Sequence, residues 1–219
     1  VGTSPPESRA SGLRERARAA SEKVPTKWIV TGVFGVFLAA SAAFGGLNTV
    51  VPQPIPAIEA GEPFTGAQLR IAVERAVLID GFPENDITPA DGNRLLVVVT
   101  RVENVWDEPA VTLGDESAAQ NVRPTGVAGI DAGTKPLSVA VLSDGAEYPE
   151  LQPGVPVELA YIWEVGPDAL GKGDTIGVDI YDKTFRAEGF VTYGERFENP
   201  FVAASTELTV DDVGAGVSE

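Results

Sequence analysis

The chain has 219 residues, 16 Lys and Arg against 32 Asp and Glu for a net charge of −16, and neither His nor Cys. The missing Cys excludes disulfides and thiolate chemistry, and the missing His excludes Ser-His-Asp catalysis and most transition-metal sites. The length suits one ordinary domain plus a shorter segment, and the acidity argues against nucleic acid as a partner, because phosphate binding needs an excess of Lys and Arg.

The first predicted element is a basic arm, residues 1–27, with six basic side chains (Arg9, Arg14, Arg16, Arg18, Lys23, Lys27) against Glu7, Glu15 and Glu22. No charge falls between Trp28 and Val51, and residues 52–219 then hold 10 basic and 29 acidic groups. The uncharged stretch 28–51, "WIVTGVFGVFLAASAAFGGLNTVV", is 24 residues long. About 20 suffice for a helix to cross roughly 30 Å of hydrocarbon. Lys27 and Trp28 suit the headgroup zone at its start. The expectation is a single-pass transmembrane helix in the cell membrane, with the N-terminus cytoplasmic and residues 52–219 extracytoplasmic. A secretory signal stays open beside it. "WIVTGVFGVFL" has the length of a signal's apolar core, and Ala40-Ser41-Ala42 has the form of a cleavage site. Within the helix Thr31, Gly35, Ala39 and Ala43 recur every four residues and form a stripe of small side chains. This is the candidate face for a membrane-protein partner; the plainer account is that small residues are common in membrane spans.

Residues 52–64, "PQPIPAIEAGEPF", carry four prolines and predict an extended stalk. Strands follow. In "QLRIAVERAVLID", Leu69, Ile71 and Val73 alternate with Arg70, Ala72 and Glu74, the period of a half-buried strand. "RLLVVVTRVENVW" (Arg94 to Trp106) contains the apolar run of a strand buried on both faces. Near Val111 the long segment 108–135 predicts an irregular edge strand, and "LSVAVL" (Leu137 to Leu142) a weak one. In "LQPGVPVELAYIWEV", a Pro-Gly turn opens a strand with Val157, Leu159, Tyr161, Trp163 and Val165 on one face. "DTIGVDIYDKTF" places Ile176, Val178 and Ile180 inward, with Asp179 and Lys183 outward. No helical period separates these strands, so the fold class is all-β, an antiparallel sandwich over residues 65–200. Residues 201–219 are small and acidic and predict a flexible tail.

The series "ITPADGNRLLVVVTRVEN", "VLSDGAEYPELQPGVPVELAYIWEVGPDAL" and "DTIGVDIYDKTF" resembles the extracytoplasmic immunoglobulin-like domains that follow a membrane or lipid anchor in Gram-positive, especially actinobacterial, envelope proteins of unknown function. The resemblance rests on Glu103-Asn104 closing the central strand and on the Leu151-x-Pro-Gly turn leading to Val165-Gly-Pro167. It implies an immunoglobulin-like β-sandwich and brings no catalytic residues. The chain departs from lipid-anchored members in having no Cys to acylate.

Two groups of residues outside the helix carry candidate chemistry. Trp106, at a strand end beside Asp107 and Glu108, is a candidate surface contact, whereas Trp163 on a central strand reads as core. The acidic loops at Asp80–Asp86, Asp86–Asn93, Asp107–Glu108 and Asp115–Glu116 have the oxygen donors that calcium takes, but none has EF-hand spacing, and solvated turns account for them. A carboxylate pair for glycoside hydrolysis has no sequence signature of its own. The expected function is a non-catalytic accessory subunit of a membrane or envelope complex such as an exporter, without cofactor. The alternative is a stand-alone surface module for cell-wall polymer, calcium or a host ligand.

Overall fold

The structure is a computed structural model describing residues 26–43, 54–111, 120–187 and 194–214. The chain divides into two compact units, Val1–Gln53 and Pro54–Glu219.

The first unit contains helix α1 (Thr26–Ala43). Val30, Val33, Phe34, Val36, Phe37 and Leu38 are exposed along it. Successive residues of a helix turn through about 100°, so these side chains spread over about 200° of the helix surface, and Thr31, Gly32, Gly35 and Ala39 occupy the remainder. No helix among the described residues is long and apolar enough to cross a membrane. The predicted span continued to Val51. Its last part, residues 44–51, lies outside the described residues, as does the arm over residues 1–25.

The second unit is a β-sandwich. One layer joins β1 (Pro63–Thr65), β2 (Leu69–Ile79), β3 (Arg94–Asn104), β8 (Pro156–Val165) and β6 (Ser138–Val141). The other joins β5 (Val122–Thr125), β9 (Thr175–Arg186) and β10 (Arg196–Gly214). A separate corner pairs β4 (Ala110–Val111) with β7 (Glu150–Leu151). Strand β10 belongs to both layers. It runs antiparallel to β9 as far as Thr209, then parallel to β2 from Val210.

The core lies between the layers. Leu69, Ile71, Val73, Leu96, Val98, Leu159, Tyr161 and Trp163 from one layer share a buried cluster with Ile176, Val178, Ile180, Leu208 and Val210 from the other. The period-2 patterns of β2, β8 and β9 thus read correctly, with one change of phase. A bulge between Val73 and Arg75 shifts the register of β2 against β3, so that Ala76 and Leu78 take over the inward face. The run Leu95–Val99 is buried on both sides as expected. Leu95, Val97 and Val99 face a second cluster, covered by Phe82 and Ile87 from the loop that joins β2 to β3.

Four expectations are corrected. The stalk over 52–64 is part of the sandwich from Pro54 onward: Ile58 donates its N–H to the Ser205 carbonyl at 2.9 Å, and Ile58 and Phe64 pack on the core. The flexible tail is strand β10 as far as Gly214, with Ala204, Thr206, Leu208 and Val210 buried in alternation; residues 215–219 lie outside the described residues. Its small inward residues gave a weak hydrophobic signal. Lys183 is buried at 2% exposure, not outward. The register shifts between Glu198 and Phe201 and between Val202 and Ala204 put their extra residues on β10, so β9 has no bulge of its own although its alternation of burial ends at Ile180. Strand β5, which contains Pro124, was missed. Proline is tolerated on such an edge strand because one side of the strand needs no ladder donor.

Candidate contact site at the leading end of the sandwich

Three strands start (β2, β8 and β10) and three finish (β1, β3 and β9) at one end of the sandwich, here called the leading end. Pairing of Leu69 with Asn104 and of Glu103 with Pro156 brings together the start of β2, the end of β3 and the start of β8. The end of β9 and the start of β10 meet there too, because the Asp182 carboxylate accepts the Ala67 N–H, at 3.0 and 3.1 Å to its two oxygens. Residues 56–58 run parallel to β10 beside Ser205, in the direction that leads away from the leading end.

Asn104 organises this end. It is fully buried, and its side-chain amide donates to the Leu151 carbonyl at 2.9 Å and the Glu108 carbonyl at 2.7 Å. Its Oδ1 accepts the Trp106 N–H at 3.0 Å, and its backbone carbonyl accepts the Gly154 N–H at 2.8 Å. One side chain therefore ties the end of β3 to the β4–β7 corner and sets the direction of the chain at Trp106. The Pro153-Gly154 turn needs its glycine, because φ at Gly154 is 70°, a left-handed value that other residues adopt only at a cost.

Trp106 is half-buried and packs on two phenylalanines from the β9–β10 pair. Its ring centroid lies 4.8 Å from that of Phe185, tilted by 42°, and 5.3 Å from that of Phe197, edge-on at 85°. Phe185 and Phe197 lie 5.4 Å apart and are paired across the ladder. Phe197 is buried, whereas Phe185 remains 36% exposed. Val105, Val155 and Phe201 are also exposed, at 37%, 49% and 48%. Glu198 bridges Arg186 at 2.8 Å and Arg196 at 2.9 Å beside the cluster. Asp107 and Glu108 are exposed on its other flank.

The candidate contact of Trp106, Asp107 and Glu108 is thus an aromatic cluster with a charged rim. Phe185 and Phe197, its other members, were not identified from the sequence. The signal was "KTFR" and "RFENPF", aromatics placed alike on two strands that turn out to pair. Trp163 is core, 2% exposed, stacked on Tyr161 at 6.2 Å and donating its indole N–H to the Thr134 carbonyl. Thr31, Gly35 and Ala39 lie exposed on α1, and the Thr31 hydroxyl donates to the Lys27 carbonyl at 2.8 Å. Ala43 ends the same helix, but its side chain lies outside the described residues.

Asp80, Ala90 and Asn93 of the acidic loops have structural partners. Arg94 bridges Asp80 at 2.8 Å and Asp212 at 2.7 Å. The Glu164 carboxylate accepts from Asn93 and from the Ala90 N–H, which holds it below the ordinary carboxylate value. Among the described residues no group of three or more carboxylates is placed to hold a metal ion, and Asp115 and Glu116 lie outside them. A second polar feature, Arg123, is 8% exposed over the Tyr181 ring, with Nη2 donating to Gln120. Burial lowers its basicity and pushes the fully buried Tyr161 hydroxyl up.

No protein-family model and no curated protein matches the chain. Solved structures similar to it include an uncharacterized β-sandwich protein from Clostridium difficile, at 9% identity and a TM-score of 0.44, with 74% of this chain and 99% of that one covered. A provisionally assigned lipoprotein of Staphylococcus aureus follows at 12% identity and a TM-score of 0.39, with 73% and 99% covered. Another from Bacillus subtilis stands at 12% and 0.35, with 70% and 39% covered.

Proposed function

We propose that this protein is a single-pass membrane protein whose outer domain, an immunoglobulin-like sandwich, serves as a non-catalytic accessory subunit of a membrane or envelope complex. The observation that carries the reading is α1. Its large apolar side chains cover more than half of the helix surface, small uncharged residues fill the rest, and a helix of that kind is stable where lipid or other helices cover it, not as a surface helix in water. The uncharged sequence continues beyond it to Val51, which supplies the length a span needs. The small-residue face then offers close approach to a neighbouring helix. Parallel addition of the last strand to the first long one supports the immunoglobulin-like arrangement.

The test is extraction and co-purification from native membranes. The protein should resist alkaline carbonate, dissolve in mild detergent and bring a defined membrane partner with it. Gly35→Leu should reduce that recovery at least several-fold while leaving the protein in the membrane. Release of a form that begins after Ala42 would refute the anchor. Purification as a single species, with Gly35→Leu indifferent, would refute the subunit and favour the surface module, for which the exposed ring of Phe185 is the best supported contact.

A further inference from the structure

We propose that Arg123, on edge strand β5, is the centre of a binding site for a small oxyanion of the phosphate, sulfate or carboxylate class. The site depends neither on the membrane anchor nor on the aromatic cluster.

Arg70, Arg94, Arg101, Arg186 and Arg196 each bridge a carboxylate. Arg123 does not, although it is only 8% exposed. Its Nη2 donates to the neutral Oε1 of Gln120 at 2.8 Å, and its guanidinium carbon lies 5.6 Å from the centre of the Tyr181 ring. Nε and Nη1 are buried and donate to nothing in the chain. A ring face offsets part of a cation's lost hydration, but a buried charge with unused donors stays costly until an opposite charge reaches it.

The neighbouring groups do not supply that charge. Asp179 is the partner of Arg123 across the ladder. Its carboxyl is raised by burial, whereas a bonded guanidinium would lower it. Tyr161 lies close enough to feel the charge of Arg123, but burial keeps its hydroxyl neutral, and that hydroxyl is buried without a partner as well. The unused groups are therefore two donor nitrogens of a cation and a hydroxyl able to donate. They call for a ligand that only accepts, carries negative charge and has more than one oxygen. Guanidinium groups hold such oxyanions by charge-assisted hydrogen bonds. Gln120 and Tyr181, the side chains beside the guanidinium, are themselves half-buried, so the cation lies one side chain below the surface. The neutral acceptor that an oxyanion would displace is Gln120.

The test is thermal unfolding of the full chain in mild detergent, followed by tryptophan emission. Inorganic phosphate is titrated through the millimolar range while chloride holds the ionic strength constant. The wild-type midpoint should rise with phosphate, as it does for a ligand that binds only the folded state. Arg123→Gln should show no rise. Gln120→Glu places a carboxylate where the neutral acceptor stands, so it should unfold at a higher midpoint than wild type without phosphate and ignore its addition. No rise in wild type would overturn the inference. An equal rise in Arg123→Gln would overturn it too, because that is a general salt effect on the protein surface. Should Arg123→Gln fail to fold, Gln120→Glu decides alone: a phosphate response as large as that of wild type would refute the site.

Discussion

Asn104 sits where a strand of apolar residues ends, fully buried, with both amide hydrogens and its Oδ1 engaged. A buried polar group left without its partner costs about 1–3 kcal/mol, and Asn104→Ala orphans three backbone groups at once. The expected loss is therefore at the upper end, roughly 3 kcal/mol, read as a lower urea midpoint. The emission of Trp106 should shift as well, since the Trp106 N–H is one of those groups. The same residue shows what a sequence can and cannot convey. Its position after "LLVVVTRVE" marks the end of a strand. Its bonds to Leu151 and Glu108 depend on the β4–β7 corner and have no local signature. Trp106 was legible as a contact for a similar reason: a large ring at a strand end is conspicuous, whereas the two phenylalanines beneath it become neighbours only when β9 and β10 pair.

At the scale of elements, Arg94 joins three strands: it begins β3, and its guanidinium holds Asp80 after β2 and Asp212 near the end of β10. The pairing with Arg94, chiefly its hydrogen bond, depresses the Asp212 carboxyl from 3.8 to about 2. A depressed carboxylate stabilises the folded state above its unfolded value and loses that contribution as pH falls through its folded value. Asp212→Asn should therefore be less stable than wild type near neutral pH, and the gap should close between 3.8 and about 2. Urea midpoints of both proteins at several pH values check this, and a gap that persists at the acid end would show that the aspartate acts by shape and not charge. Elements with strict alternation, such as Val157–Val165, were legible down to the inward residues. Where a bulge adds a residue to a strand, as at Glu74 in β2, a period-2 reading assigns the wrong face beyond it, because a one-residue shift exchanges the two sides.

At the scale of the molecule, β10 decides whether there is one core or two half-cores. It pairs with β9 in one layer and with β2 in the other, and Leu208 and Val210 contribute to the cluster between them. From the sequence this segment reads as a tail: Ala204, Thr206 and Thr209 bury little area, and the acidic pair Asp211-Asp212 suggests solvent. The apolar area of Leu208 and Val210 is worth about 1.5–3 kcal/mol each when buried, and the ladder bonds to two strands add to it. A chain ending at Ser205 loses all of these together. Domains of this size unfold with only about 5–15 kcal/mol to spare, so the truncated protein should not fold cooperatively. A flexible tail predicts the opposite, an unchanged transition. Thermal unfolding followed by near-ultraviolet circular dichroism separates the two outcomes, since packing around Tyr161 and Trp163 reports directly on the core that β10 closes.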